Sequence, residues 1–100
     1  MNAKSNVETY SFGAAIELLK LGRKMARLGW NGNGIFIQLQ TPDEFSKITQ
    51  PYIYIDTLSL KTNNPNAPKG RVPWLASQTD MLAEDWVIVK EDNDQLSLNI

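Results

Sequence analysis

Two segments of this sequence concentrate the side chains that could bind a nucleotide-like ligand. Residues 72–86 hold two of the three tryptophans, Trp74 and Trp86, on either side of a short polar helix signal. The third, Trp30, precedes the turn-rich run 31–34. Flat aromatic faces beside amides and a few cations suit a base with phosphates, because a base stacked on an aromatic ring contributes roughly 1–3 kcal/mol.

The candidate ligand-binding set combines aromatic, amide, hydroxyl, carboxyl and guanidinium groups: Arg27, Trp30, Asn31, Arg71, Trp74, Ser77, Gln78, Thr79 and Asp80. The tryptophans would supply stacking faces and the arginines would supply forks for phosphate. Ser77 and Asp80 have the spacing of a capping box, so the Asp80 carboxylate would first cap a helix and would compete there with an anion. A surface charge beside a strand explains Arg27 and Arg71 as well as ligand contact does.

The aromatic and amide candidates also have structural interpretations. Trp74 fits a ligand site and a core equally well, Trp30 in its turn-rich loop favours the site, and Trp86 at the start of an apolar strand favours the core. Asn31 lies in an Asn-Gly turn, where a local hydrogen bond to the backbone is slightly favoured over ligand contact. The sequence leaves these alternatives open.

Catalysis near neutral pH has little support in this composition. The chain has no histidine and no cysteine, which are the usual acid–base group, metal ligands and thiolate nucleophile. Acids near predicted elements include Asp56, Asp80, Glu84 and Asp85. They have no metal-ligand spacing, and the run 31–34 is turn chemistry and not a phosphate-cradling loop. We therefore expect a binding protein with no cofactor and no metal, not an enzyme.

The length and net charge of the chain limit the classes of partner that it can bind. One hundred residues predict a single domain. A formal net charge of −1 gives no general attraction to nucleic acid or to an acidic membrane. Residues 1–10 are polar, and no run approaches the roughly 20 apolar residues of a membrane span. We expect a soluble, cytoplasmic protein whose partner is a small anionic ligand, and a chain this short gains core by self-association.

The first half of the chain predicts a helix followed by a hairpin. Ser11 is a good N-cap for a helix over 12–21, and Gly22 ends that helix. Residues 24–27 are interpreted as an edge strand that leads into the Trp30 loop. The alternating residues 35–40 follow as its hairpin partner.

The second half predicts three more strands and a short helix. Tyr52–Ile55 alternates as a strand that Leu58 and Leu60 extend, and packing against a helix is favoured for the shared face of Tyr52 and Tyr54. Residues 71–75 predict a strand that Pro73 restricts to an edge or to a strand end, because proline has no backbone N–H donor. A helix over 78–84 and a strand over 86–90 follow.

This order predicts an α+β domain with a mainly antiparallel sheet, one longer N-terminal helix and one short C-terminal helix. Within the single domain 1–100 we expect a loose lead over 1–10, a structured core over 12–90, and an acidic tail or assembly strand over 91–100.

Two motifs occur in this order in a known family. They are Arg27-x-Gly29-Trp30-Asn31-Gly32 and, much later, Pro73-Trp74-x-x-Ser77-Gln78-x-Asp80-Met81-x-Ala83-x-Asp85-Trp86. On these motifs, residues 12–89 resemble the small phage family called Thoeris anti-defence protein two. The second motif is long and specific, and the first adds weight through its order and distance.

The resemblance implies a protein that captures a signal. Members of that family bind glycocyclic ADP-ribose, a cyclic ADP-ribose isomer made by a bacterial TIR-domain sensor, and hold it without cleaving it, so that the Thoeris effector stays off in the infected host. They are homotetramers with pockets between protomers, and some relatives also capture cyclic oligonucleotide signals. The alternatives are capture of such oligonucleotides, a nucleotide-cleaving enzyme using Asp80 or Asp85, and a protein-interaction module with tryptophan hot spots.

Overall fold

The computed structural model describes residues 7–30 and 33–90, which form two helices and five strands. The elements are α1 (Phe12–Lys20), β1 (Lys24–Arg27), β2 (Phe36–Gln40), β3 (Tyr52–Asp56), β4 (Arg71–Pro73), α2 (Gln78–Leu82) and β5 (Trp86–Val89). The strands make one sheet in the order β4-β3-β2-β1-β5, and each neighbouring pair is antiparallel. The predicted α+β class, with a longer first helix and a short second one, is confirmed.

Helix α1 has both of its predicted end signals. The Ser11 hydroxyl accepts a hydrogen bond from the Ala14 backbone N–H at 3.2 Å, as an N-cap does. At the other end Gly22 has a φ of +93°. The backbone N–H groups of Gly22 and Arg23 donate to the carbonyls of Leu19 and Leu18. This glycine-terminated motif satisfies the last free carbonyls and turns the chain into β1.

The core lies between α1 and one face of the sheet. Ala15 and Leu19 of the helix are buried with Met25, Ile37 and Trp86 of three adjacent strands. These strand residues share a face. Met25 pairs with Ile37 of β2 and with Ile88 of β5, and Trp86 lies two positions before Ile88, on the same side of β5. Burial of each large apolar side chain contributes about 1.5–3 kcal/mol.

The opposite face of the sheet carries Tyr52 and Tyr54. Directly paired residues in antiparallel strands point to the same side, and Tyr52 pairs with Gln40 while Tyr54 pairs with Gln38 and Pro73. The favoured packing of these tyrosines against a helix is wrong. Period-two alternation instead places Ile53 and Ile55 on the face that packs against the core beneath α1.

Two strand predictions also need correction. Strand β1 is not an edge strand, because β5 returns to pair with all four of its residues. Leu58 and Leu60 do not extend β3: the Asp56 carboxylate accepts the Leu58 N–H at 2.9 Å, and this local hydrogen bond turns the chain out of the sheet. Strand β4 lies at an edge of the sheet and ends at Pro73, so both positions that proline allowed are occupied.

The ends of the chain are described only in part. Tyr10, in the predicted lead, exchanges two backbone hydrogen bonds with Trp86, of 2.7 and 3.1 Å. Residues 1–6 and the predicted tail 91–100 lie outside the described residues. Within 7–30 and 33–90, no helix has the length and apolarity needed to cross a membrane.

Candidate functional site

The three tryptophans and Phe12 form one aromatic cluster. Trp86 is fully buried at its centre, with ring centroids 5.6 Å from Phe12, 5.4 Å from Trp30 and 6.0 Å from Trp74. Trp30 and Trp74 meet edge to face at 6.5 Å. Both are only half-buried, so each packs against the core while part of its surface reaches solvent. Trp86 is therefore core, and the cluster joins the two sequence segments that carry the motifs.

Arg27 holds two carboxylates beside this cluster. Its Nε donates to Asp85 Oδ1 at 2.8 Å and its Nη1 donates to Asp80 Oδ1 at 2.9 Å. The side chains of Arg27 and Asp80 are only 14% and 13% exposed. A guanidinium fork suits two planar carboxylates, and these contacts occupy Arg27 within the fold. We call Arg27, Asp80 and Asp85 the arginine–carboxylate anchor.

Asp80 connects the anchor to the aromatic rings. Its Oδ1 also accepts the Trp30 indole N–H at 3.2 Å, and its backbone carbonyl accepts the Trp86 indole N–H at 3.1 Å. Its Oδ2 accepts the Ser77 N–H, while the Ser77 hydroxyl accepts the Asp80 N–H. The predicted capping box is confirmed, and Asp80 also orients two indoles, that of Trp30 through its carboxylate and that of Trp86 through its backbone carbonyl.

The Trp30 loop is attached to the fold at both ends. Before Trp30, the Gly29 N–H donates to Asp85 Oδ2 at 2.8 Å. Beyond it, Asn33 forms a bridge with Lys61. Gly34 follows with a φ of +89°, and a β-carbon there would collide with the carbonyl of Ser59. These contacts fix where the loop between β1 and β2 leaves and re-enters the sheet.

The anchor is held in its ionised form. The hydrogen bond from Arg27 lowers the pKa of the Asp85 carboxyl and outweighs the opposing effect of burial. Burial alone would raise the pKa of Asp80, but its hydrogen-bond donors, Arg27 first, hold that pKa below its ordinary value. The two carboxylates, Asp85 first, raise the pKa of the Arg27 guanidinium. A general acid needs a raised pKa near the working pH, so these carboxyls are poor candidates for proton donation.

We predict that the anchor makes folding stability sensitive to acid. A carboxyl whose pKa is depressed in the folded state stabilises the fold fully above its unfolded pKa of about 3.9, and that contribution is lost as the pH falls through the lower, folded pKa. The free energy of unfolding should therefore be level between pH 7 and about pH 5 and fall below about pH 4. Urea denaturation across this pH range measures it.

Asp85→Asn tests the assignment. This near-isosteric variant should lose about 1–3 kcal/mol at pH 7, because Arg27 and Gly29 lose a charged acceptor, and its stability should fall less steeply in acid. Glu84→Gln, at the exposed neighbouring position, should match the wild type throughout. Parallel pH curves for Asp85→Asn and wild type would contradict the anchor's role.

The structure brings most of the predicted site residues together. Around the cluster and the anchor lie Arg27, Trp30, Trp74, Ser77 and Asp80. Gln78 and Thr79 form the exposed first turn of α2 beside them. Asn31 lies outside the described residues.

Arg71 lies elsewhere. It pairs with Asp56 across β4 and β3, on the face of the sheet that turns away from the tryptophans. Its guanidinium Nε donates to Asp56 Oδ2 at 2.8 Å. Sequence proximity to Trp74 suggested a common site, but a strand sends residues an odd number of positions apart to opposite faces.

Comparison with known proteins matches the part of the chain that contains these residues. Residues 10–89 match the family model of the Thoeris anti-defense 2-like domain. The chain belongs to this family. A relative, Thoeris anti-defense 2 of Bacillus phage SP01, is 38% identical over 88 residues, which cover 79% of this chain and 93% of the relative. The resemblance identified from the two motifs is confirmed.

The bounds of the Thoeris anti-defense 2-like domain coincide with the two ends of the folded unit. The match begins at Tyr10, which is bonded to Trp86, and ends at Val89, the last residue of β5. Both motifs and the whole anchor lie inside it. Among the described residues of this family member, no group of three or more acidic side chains is placed to hold a metal ion.

Sequence reasoning underestimated Asp85 and Phe12. Asp85 was considered only as a catalytic acid, yet its carboxylate accepts hydrogen bonds from both Arg27 and Gly29. Phe12 was considered only as a helix residue, yet its ring packs on Trp74 and Trp86. The sequence did contain a signal for Asp85: the second motif has two acids, Asp80 and Asp85, and the first motif has an arginine, Arg27, of opposite charge. Pairing these charges would have predicted the anchor.

Proposed function

We propose that this protein is a phage anti-Thoeris protein that binds and sequesters glycocyclic ADP-ribose without cleaving it. Withdrawing that signal would leave the Thoeris effector inactive in the infected host cell. The observation that carries the proposal is the pair of half-buried tryptophans, Trp30 and Trp74, within a domain of the Thoeris anti-defense 2 family.

The tryptophan pair is prepared for stacking. Trp30 is fixed by its indole hydrogen bond to Asp80 and by the edge contact with Trp74, so little conformational freedom remains to be lost when a base binds. Preorganisation of this kind raises affinity by lowering the entropic cost of binding. Two stacking contacts at roughly 1–3 kcal/mol each would supply a substantial share of the about 12 kcal/mol of a nanomolar complex.

The polar groups beside the tryptophans suit recognition. Gln78 and Thr79 lie exposed on the first turn of α2, next to Ser77, where an amide and a hydroxyl can bond ribose or base. In this proposal Arg27 positions the site through Asp80 and Asp85 and does not contact phosphate, because its Nε and Nη1 already serve two carboxylates. The same pairing lowers the pKa of both acids and supports binding over acid catalysis.

We propose further that the protein assembles as a homotetramer. Large apolar side chains stand exposed near α2 and at the ends of α1 and β1, among them Leu21, Leu28, Leu75 and Leu82. Leu75 is 91% exposed one residue after Trp74. Apolar surface of this kind is covered in oligomers, and an interface there would place the second protomer beside the tryptophan pair.

Calorimetric titration with glycocyclic ADP-ribose tests the site. Trp74→Ala is expected to weaken binding by about tenfold or more, because it removes one stacking face. Trp74→Phe keeps a ring in the cluster and should bind with intermediate affinity. Phe45→Ala, which removes an 86% exposed aromatic ring elsewhere, should bind as the wild type does. Thermal melts establish that each variant is folded.

Recovery of the ligand separates capture from catalysis. Protein incubated with glycocyclic ADP-ribose and then denatured should release the ligand intact on chromatography. Cleavage products would replace the proposal with the nucleotide-cleaving alternative. Unchanged affinity in both Trp74 variants would remove the tryptophans from the site.

A further inference from the structure

The face of the sheet turned away from the tryptophans carries a groove that the proposed function does not use. Two adjoining cavities, of about 140 Å³ and about 270 Å³, share Gln40 and Tyr52 as lining residues. The smaller extends over Tyr54 to Arg71, and the larger extends to Lys47 in the loop before β3. Together they reach the lower part of the roughly 300–1,000 Å³ range of small-molecule sites. We call this the tyrosine groove.

The shared residues of the groove have unused hydrogen-bonding groups. Tyr54 donates its hydroxyl to the Gln38 side chain at 2.9 Å. The next pair on the same face, Tyr52 and Gln40, are both half-buried. Neither side chain forms a hydrogen bond with another residue of the described part of the chain. An amide and a phenol therefore face the groove with free donors and acceptors.

Asp56 holds Arg71 at one end of the groove. Asp56, with its side chain 5% exposed, accepts a hydrogen bond from Arg71 Nε, while the Arg71 side chain is 62% exposed. The hydrogen bond with Asp56 raises the pKa of the guanidinium. Since Nε is the atom engaged, the two terminal nitrogens remain to donate, in the fork geometry that phosphate oxygens accept.

We propose that the tyrosine groove is a second binding site, for an adenine nucleotide such as a nucleoside monophosphate. The Tyr52 ring supplies a stacking face, and the Gln40 amide offers the donor–acceptor pair that reads the N6 and N7 edge of adenine. Arg71 binds the phosphate, and the sugar that joins the phosphate to the base lies over Tyr54 in the smaller cavity. This site is separate from the tryptophan pair, because the sheet lies between them.

The test is an NMR titration of the ¹⁵N-labelled full chain with AMP. Saturable shifts are expected at the backbone amides of residues 40, 52 and 71, with a dissociation constant below about 1 mM. UMP should bind at least about threefold more weakly, because it lacks the adenine edge. Inorganic phosphate alone should shift residue 71 and leave residues 40 and 52 unmoved.

Substitutions in the groove assign the contacts. Tyr52→Ala and Gln40→Ala should each weaken AMP binding by about fivefold or more, and Arg71→Lys should weaken it by about threefold while keeping the charge beside Asp56. Lys69→Ala, which removes an exposed cation two residues from Arg71 and outside the groove, should stay within about twofold of wild type. Amide spectra show whether each variant is folded.

The outcomes separate this site from the one at the tryptophans. Trp74→Phe should leave AMP binding unchanged, and Tyr52→Ala should leave glycocyclic ADP-ribose binding unchanged. AMP binding with no response to glycocyclic ADP-ribose would refute the proposed function and leave the groove standing. Absence of saturable shifts with AMP, or wild-type affinity in both Tyr52→Ala and Gln40→Ala, would overturn the groove.

Discussion

Trp86→Ala is expected to cost about 3–5 kcal/mol of folding free energy, the range for truncation of a large buried aromatic side chain. Trp86 is 0% exposed and touches Phe12, Trp30 and Trp74. The variant also loses the indole hydrogen bond to the Asp80 carbonyl. Because a domain of this size has only about 5–15 kcal/mol of stability, the loss would remove at least about a fifth of the margin and, at the lower end of that range, nearly all of it.

Urea denaturation of matched variants measures this effect. Trp86→Phe keeps a ring and loses the indole N–H, so it should lie between alanine and wild type. Phe45→Ala truncates a side chain that is 86% exposed in the loop before β3 and should change stability by less than about 0.5 kcal/mol. Equal losses at positions 45 and 86 would show that the aromatic cluster does not form the core.

Gly34→Ala is the second substitution with a large expected effect. Gly34 has a φ of +89°, and its new β-carbon would overlap the Ser59 carbonyl, a backbone atom that cannot rotate away. To relieve this overlap, the loop between β1 and β2 must move away from the turn after β3 that contains Ser59. We expect a loss of more than about 2 kcal/mol, together with weaker binding at the tryptophan site, because that loop carries Trp30.

Gly22→Ala provides the matched control. Gly22 has a φ of +93°, but no atom lies within 4 Å of a β-carbon built there. Its cost should be the left-handed backbone penalty alone, about 1 kcal/mol, with ligand binding unchanged. Similar losses at positions 22 and 34 would indicate that backbone conformation, and not the contact with Ser59, explains the glycine at 34.

Both effects follow from how the domain positions its tryptophans. The cluster forms where the loop after β1, the segment after β4 and the start of β5 converge under the sheet. The arginine–carboxylate anchor then ties two of these segments together through Arg27, Asp80 and Asp85. Stability and the presentation of Trp30 and Trp74 are therefore coupled, and binding experiments need a folding measurement beside them.

Local patterns in the sequence determined the elements. The Ser11 cap and Gly22 stop bounded α1 to within one residue, the box of Ser77 and Asp80 located α2, and alternation located β3. These signals act within a few residues along the chain, so a single sequence contains them in full. The two tryptophan motifs were also sufficient to identify the family.

Long-range pairing was decided only by the tertiary structure. Nothing within residues 24–27 distinguishes an edge strand from an interior one, so the prediction of an edge strand there was wrong, because β5 pairs with β1. Likewise, Arg27 lies 53 positions before Asp80 in the chain and Arg71 only three before Trp74, yet the first pair is bonded and the second is on opposite faces. Register and side-chain alternation set these relations, because they depend on which strands meet and not on distance along the sequence.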